Sequence, residues 1–142
     1  MQLEFDHVAV VVNSIAEFTP VLERLTGLSG SPPEQILSQG VDVSFVGAVE
    51  VVQPTSPDGG VARFLEKRGP GLHHIAYRTD DLAAVMSQLT REGYQFTSAE
   101  PAIGRRGHPV AFIHPGSTGG LLIEFVEKPN PAQNDGPGSS ST

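Results

Sequence analysis

The feature that most constrains this chain is an internal repeat. A shift of 67 positions (74 − 7) carries His7 onto His74, and the same shift carries Ala9 onto Ala76, Ile15 onto Leu82, Leu22 onto Leu89, Gly40 onto Gly107, Val43 onto Val110 and Phe45 onto Phe112. The register holds without net insertion from the first apolar run to the third. Beyond that point Glu50 matches Glu124 at an offset of 124 − 50 = 74, so seven extra residues (74 − 67) fall between His114 and Gly120, where the first copy has only the Gly47-Ala48 turn. A repeat of this period predicts two copies of one supersecondary unit.

Each copy reads as βαβββ. In the first, the valine-rich run 4–12 predicts a largely buried strand. Ser14 with Glu17 three residues later has the capping-box pattern, and Ile15, Phe18, Leu22 and Leu25 have helical spacing up to Gly27. Pro20 is expected to bend or shorten the first half of that helix. A short edge strand is expected at Ile36-Leu37, an alternating strand at 41–46 and its hairpin partner at 49–52. The breaker-rich loop 54–60 leads to one or two helical turns over 61–67. The second copy predicts a strand at 72–79, a helix on Leu82, Val85, Met86 and Leu89 capped by Asp80 or Asp81, and a short strand at 93–96. A polar loop follows at 100–107, then strands at 109–114 and 121–126. The expected class is α+β, with two tandem modules forming a curved mixed sheet. The boundaries are one domain over 1–129, with module one about 1–54, a linker helix about 55–69 and module two about 70–129. The Asn-, Pro-, Gly- and Ser-rich segment 130–142 is expected to be a flexible tail.

Two matched pairs carry the chemistry: His7 with His74, and Glu50 with Glu124. Both carboxylates sit inside apolar runs, Ala48-Val49-Glu50-Val51-Val52 and Leu121-Leu122-Ile123-Glu124-Phe125-Val126. A carboxylate buried without a cation or hydrogen bonds costs several kcal/mol. A single strand histidine is more often a packed residue than a ligand, and a single strand glutamate usually faces solvent. Repeat-related pairs of both favour a divalent metal site, His7, Glu50, His74 and Glu124. The chain has no cysteine, which excludes disulfides and thiolate sites. Nitrogen and oxygen donors suit Co, Ni, Zn, Mn or Fe better than Ca and leave positions open for a chelating substrate. His73 is expected to face away from the site in a structural role, and His108 and His114 to lie at strand ends.

The formal charge of −7 and 6% aromatics without tryptophan argue against nucleic-acid binding. No run reaches membrane-spanning length and the N-terminus lacks signal-peptide regions, so no membrane partner and a cytoplasmic location are expected. Lys67-Arg68 and Arg105-Arg106 are the local basic pairs, read either as solvated loop residues or as contacts to an anionic ligand.

Taken together, these segments resemble the vicinal oxygen chelate, or glyoxalase-like, superfamily, and within it the methylmalonyl-CoA epimerases. The resemblance runs through Asp6-His7-Val8-Ala9, Glu50 to Asp58, Phe64 to Gly69, Gly71 to Ala76, Glu100-Pro101, Phe112 to Pro115 and Ser117 to Glu124, covering roughly residues 5–127. It implies the vicinal oxygen chelate fold, with His7, Glu50, His74 and Glu124 as metal ligands. It also implies Glu124 and Glu50 as acid/base candidates, in that order, and cobalt first among the ions, with Mn, Ni, Zn or Mg as others. The implied partners are an acyl-CoA, with Lys67, Arg68, Arg105 and Arg106 as phosphate contacts, and a second copy in a homodimer. Val43 stands where some of these epimerases carry a second glutamate, which leaves the second base unassigned, and Gly116 replaces a lysine often found there. Another enzyme of the superfamily, or a binding protein on the same fold, is the alternative reading.

Overall fold

The computed structural model describes residues 2–129, so the expected tail lies outside it. The chain groups into two compact units, residues 7–75 and residues up to 6 together with 76 onward. The strands are β1 (Glu4–Val11), β2 (Glu34–Ile36), β3 (Val41–Val46), β4 (Val49–Pro54), β5 (Gly71–Thr79), β6 (Ala102–Ile103), β7 (Pro109–Ile113) and β8 (Ile123–Glu127). The helices are α1 (Ile15–Thr26), α2 (Gly60–Arg68) and α3 (Leu82–Arg91). The α+β class follows, with both parallel and antiparallel strand pairs.

In the unit 7–75 the strand order is β2-β3-β4-β1-β5. β1 pairs with β4 in parallel, Ala9 opposite Glu50, while β2, β3 and β4 are mutually antiparallel. Side chains alternate across a strand, so residues 7, 9 and 11 share one face. On that face Ala9, Val11, Val41, Val43 and Val52 form a core against Val61, Phe64 and Leu65 of α2. The opposite face packs Val12 and Val51 against Ile15, Phe18 and Leu22 of α1. Each fully buried Val or Leu contributes about 1.5–3 kcal/mol relative to exposure. The two helices therefore clamp the strands from both sides, and His7 and Glu50 fall in phase with the α2 side.

In the other unit the order is β5-β8-β7-β6, with β6–β7 and β7–β8 antiparallel. Leu82 and Val85 of α3 pack with Ala111, Ile113 and Phe125. Just past β8, Lys128 is anchored by its N–H to the Thr79 carbonyl and by Nζ to both Asp6 carboxylate oxygens, each at 3.0 Å.

The repeat extends to the helix starts. Ser14 Oγ accepts from the Glu17 N–H and Asp81 Oδ1 from the Ala84 N–H, each at 3.1 Å, and both pairs are related by the 67-residue shift. A second acceptor reaches the first helical N–H from the end of the last strand of each copy. Gln53 Oε1 accepts from Ile15 at 2.8 Å and Glu127 Oε1 from Leu82 at 2.9 Å. Gln53 and Glu127 are themselves 127 − 53 = 74 apart, the offset of the last strands. Both helices thus satisfy donors that a helix start leaves unpaired.

Three expectations change. α1 runs continuously through Pro20, which removes one helical donor without ending the helix. No strand forms at 93–96. There the Gly93 and Tyr94 N–H groups fold back onto the Thr90 and Leu89 carbonyls, and Phe96 makes only an isolated bridge to Ile113. The outer strand of the second copy lies instead at Ala102–Ile103, inside the expected polar loop. The 67-residue shift points to that position, since Gln35 of β2 maps onto Ala102. No helix among the described residues is long and apolar enough to cross a membrane.

Candidate metal centre

His7 enters the site from β1, Glu50 from β4 and His74 from β5, all within the unit 7–75. Each is 6–8% exposed. Parallel pairing of β1 with β4 sets Glu50 beside Ala9, one pleat along from His7 and on the same face. Phe45, opposite Glu50 across the β3–β4 hairpin, holds the His7 ring edge-to-face at 5.5 Å between centroids. The three donor atoms converge. His7 Nε2 lies 3.4 Å from Glu50 Oε1, His74 Nε2 lies 3.6 Å from the same oxygen, and the two Nε2 atoms are 3.4 Å apart.

This triangle fits a divalent cation. A point equidistant from three atoms so spaced lies about 2.0 Å from each, within the usual range for a small divalent ion on imidazole and carboxylate donors. Two imidazoles and a carboxylate are also chemically suited to such an ion. Burial drives the His74 pKa down to about 3, with His73 and His7 pushing it the same way. His74 is therefore a neutral imidazole near pH 7, the form that donates a lone pair to a metal.

The depressed pKa has a consequence for the metal-free protein. The unfolded chain takes up a proton at His74 near pH 6.5, and the folded chain not until about pH 3. The stability linked to His74 is complete above pH 6.5 and is lost as pH falls from there toward 3, at about 1.4 kcal/mol per pH unit. Urea unfolding of metal-free protein across this window is expected to show a slope that His74→Gln reduces. Equal slopes in the two proteins would contradict the assignment.

Among the sequence-predicted residues, the structure brings His7, Glu50 and His74 together. Glu124 lies in the other unit, buried in β8 opposite Phe112, as Glu50 lies opposite Phe45 in the first. Lys67 and Arg68 are exposed in the last turn of α2, with the Arg68 guanidinium 5.6 Å from the centre of the Phe64 ring. Arg105 and Arg106 occupy a 3₁₀ turn of the other unit, where Arg106 has a left-handed backbone (φ 57). His114 Nδ1 accepts from the Gly116 N–H at 3.0 Å, a turn role in keeping with its loop position. His73 departs from expectation. Its Nδ1 lies 2.9 Å from Nδ1 of His74, and Phe64 meets its ring edge-on at 5.0 Å between centroids. Burial lowers its pKa, against an upward pull from Glu50 and with a smaller downward push from Arg68. Strand alternation points away from this contact, and only the adjacency of the two histidines in sequence signals it.

The chain is similar to known proteins over most of its length. Residues 6–112 match the family model of the glyoxalase/bleomycin resistance protein/dioxygenase superfamily. An uncharacterized protein of Bacillus subtilis is 34% identical over 134 residues, 92% of this chain and 96% of that one. An ethylmalonyl-CoA/methylmalonyl-CoA epimerase of Cereibacter sphaeroides is 32% identical over 128 residues, 86% of this chain and 96% of that one. The solved structure of a single-site variant of the Streptomyces coelicolor methylmalonyl-CoA epimerase, in complex with 2-nitronate-propionyl-CoA, is similar with a TM-score of 0.81 and 27% identity, over 87% of this chain and 92% of that one.

Proposed function

This chain belongs to the glyoxalase/bleomycin resistance protein/dioxygenase superfamily, and from that premise we propose that it is a metal-dependent epimerase of methylmalonyl-CoA or a close 2-substituted malonyl-CoA. The observation that carries the reading is the buried convergence of His7, Glu50 and His74, in a chain whose relatives include epimerases of such thioesters.

The α-carbon of such a substrate lies between a thioester carbonyl and a carboxylate, so its C–H is acidic. A divalent ion held by His7, Glu50 and His74, with Glu124 as the fourth ligand the sequence repeat implies and cobalt placed first among the candidates, would supply Lewis-acid stabilisation of the charge developing on the thioester oxygen. Glu124 is the proposed base that takes the α-proton, and Glu50 is the weaker candidate for the second acid/base group on the opposite face, a role open to it only when it carries the proton to be returned. Val43 cannot share this work. It is 2% exposed, apolar and packed in the core beside Val52. Burial of the two carboxylates excludes bulk water, which strengthens electrostatic interactions with the reacting group. Lys67, Arg68, Arg105 and Arg106 are assigned to the phosphates of the acyl carrier. The working form in this reading is a cytoplasmic homodimer. Each chain is one domain of two modules, about 1–54 and 70–129, joined by the linker 55–69.

Two histidines and one carboxylate are also the donors of non-haem iron oxygenases. The repeat-related Glu124 and the epimerase relatives favour proton transfer over oxygen chemistry. A substrate panel tests the choice. Cobalt-loaded protein is expected to epimerise methylmalonyl-CoA and ethylmalonyl-CoA and to leave the hemithioacetal of a thiol and a 2-oxoaldehyde unchanged. Turnover of the hemithioacetal alone would assign a glyoxalase-type isomerase. Binding of these compounds without turnover would assign a binding protein.

A further inference from the structure

We infer that His73 is a positioning residue that fixes the proton of His74 on Nδ1 and so keeps the Nε2 lone pair of His74 directed at the metal. The inference rests on the reading of His74 as a ligand and adds a residue to it.

Two imidazole Nδ1 atoms 2.9 Å apart must share one proton, because two lone pairs or two N–H groups facing each other at that distance repel. Either His74 donates to His73 or His73 donates to His74. If His73 donates, neutral His74 carries its own proton on Nε2, the atom 3.4 Å from His7 Nε2 and 3.6 Å from Glu50 Oε1. That N–H occupies the point where the donors converge and bars a cation. If His74 donates, its Nε2 is bare and available, and His73 carries its proton on Nε2. Only the second arrangement is compatible with an ion. Ligating histidines commonly have their other ring nitrogen held by an acceptor that fixes tautomer and orientation. Here the acceptor is a second histidine from the same strand.

The His73 ring is also held by α2. Phe64 of α2 meets it edge-on at 77°, and the His73 and His74 rings meet edge-to-face at 5.1 Å between centroids. Phe64 is a residue of α2 and packs against the core cluster, so the ring that braces the acceptor is itself held.

The test uses zinc, which is diamagnetic, and the full chain. Nitrogen-15 NMR of the zinc-loaded wild type is expected to show the proton of His74 on Nδ1 and that of His73 on Nε2. His73→Phe keeps a ring against Phe64 and removes the acceptor, and competition with a chromophoric chelator should show zinc affinity weaker by about 10–100-fold. His73→Asn, whose amide oxygen reaches a position close to that of Nδ1, should recover most of the loss. Matching thermal melts of the metal-free proteins separate positioning from folding. Unchanged zinc affinity in His73→Phe, or a proton on Nδ1 of His73 in the zinc-loaded wild type, overturns the inference while leaving the metal site standing. Failure of the wild type to bind zinc overturns both.

Discussion

Replacing Glu124 with glutamine is expected to lower metal-dependent epimerisation by about 10²–10⁴-fold, the range for loss of a positioned general base. The side chains have nearly the same shape, and Glu124 is a buried residue of β8 flanked by the core residue Phe125. An amide preserves that packing but cannot accept the α-proton, and it is a poorer donor to a cation. The variant should therefore fold like the wild type and fail in chemistry. Stopped-flow or chiral analysis of the epimerised thioester reads the effect. Wild-type turnover in Glu124→Gln would remove Glu124 from the catalytic assignment.

The second large effect is a reversal of sign at Glu50. In the metal-free protein this 8%-exposed carboxylate faces two imidazoles, and His74 is held neutral by burial. Apolar replacement of a buried ionic group by a residue of similar volume is often neutral or stabilising. Glu50→Leu is therefore expected to leave metal-free stability unchanged or to raise it by about 1–4 kcal/mol. With metal present the order inverts. Structural zinc sites are worth about 10–16 kcal/mol across four ligands, so one lost ligand removes roughly 3 kcal/mol, about two orders of magnitude in affinity. Thermal melts of both proteins with and without zinc measure the inversion. A Glu50→Leu protein stabilised by zinc as strongly as the wild type would show that Glu50 is not a ligand.

Much of this organisation is legible in the sequence because the repeat constrains both sequence and structure. The 67-residue shift matches the strands that carry His7 and His74, and the 74-residue offset matches Glu50 with Glu124. Phe45 and Phe112, paired by the first offset, lie opposite those two glutamates. The edge strand of the second copy is hard to read locally because 93–96 carries two aromatic strand formers, whereas Ala102–Ile103 is a two-residue strand set in a polar, glycine-containing loop. The repeat register, a longer-range constraint, points to the correct segment. The role of His73 is hidden because face alternation predicts the direction in which a side chain leaves the strand. It does not predict where a ring turns after leaving. The acceptors Gln53 and Glu127 are hidden for a related reason: their contacts with α1 and α3 span 38 and 45 residues. Local capping patterns carry no information at that separation.

If this chain uses a metal held by repeat-related histidines and glutamates to exchange the α-proton of a malonyl thioester, deuterium wash-in reads that exchange without intermediaries. Methylmalonyl-CoA is incubated in deuterated water with chelator-stripped protein and with the same protein reconstituted with cobalt, and the α-position is followed by mass spectrometry. Rapid incorporation of one deuterium is expected with the cobalt-loaded protein, and only the uncatalysed rate with the stripped protein. Equal exchange by both, or exchange no faster than the buffer with cobalt fully bound, would contradict metal-dependent proton transfer.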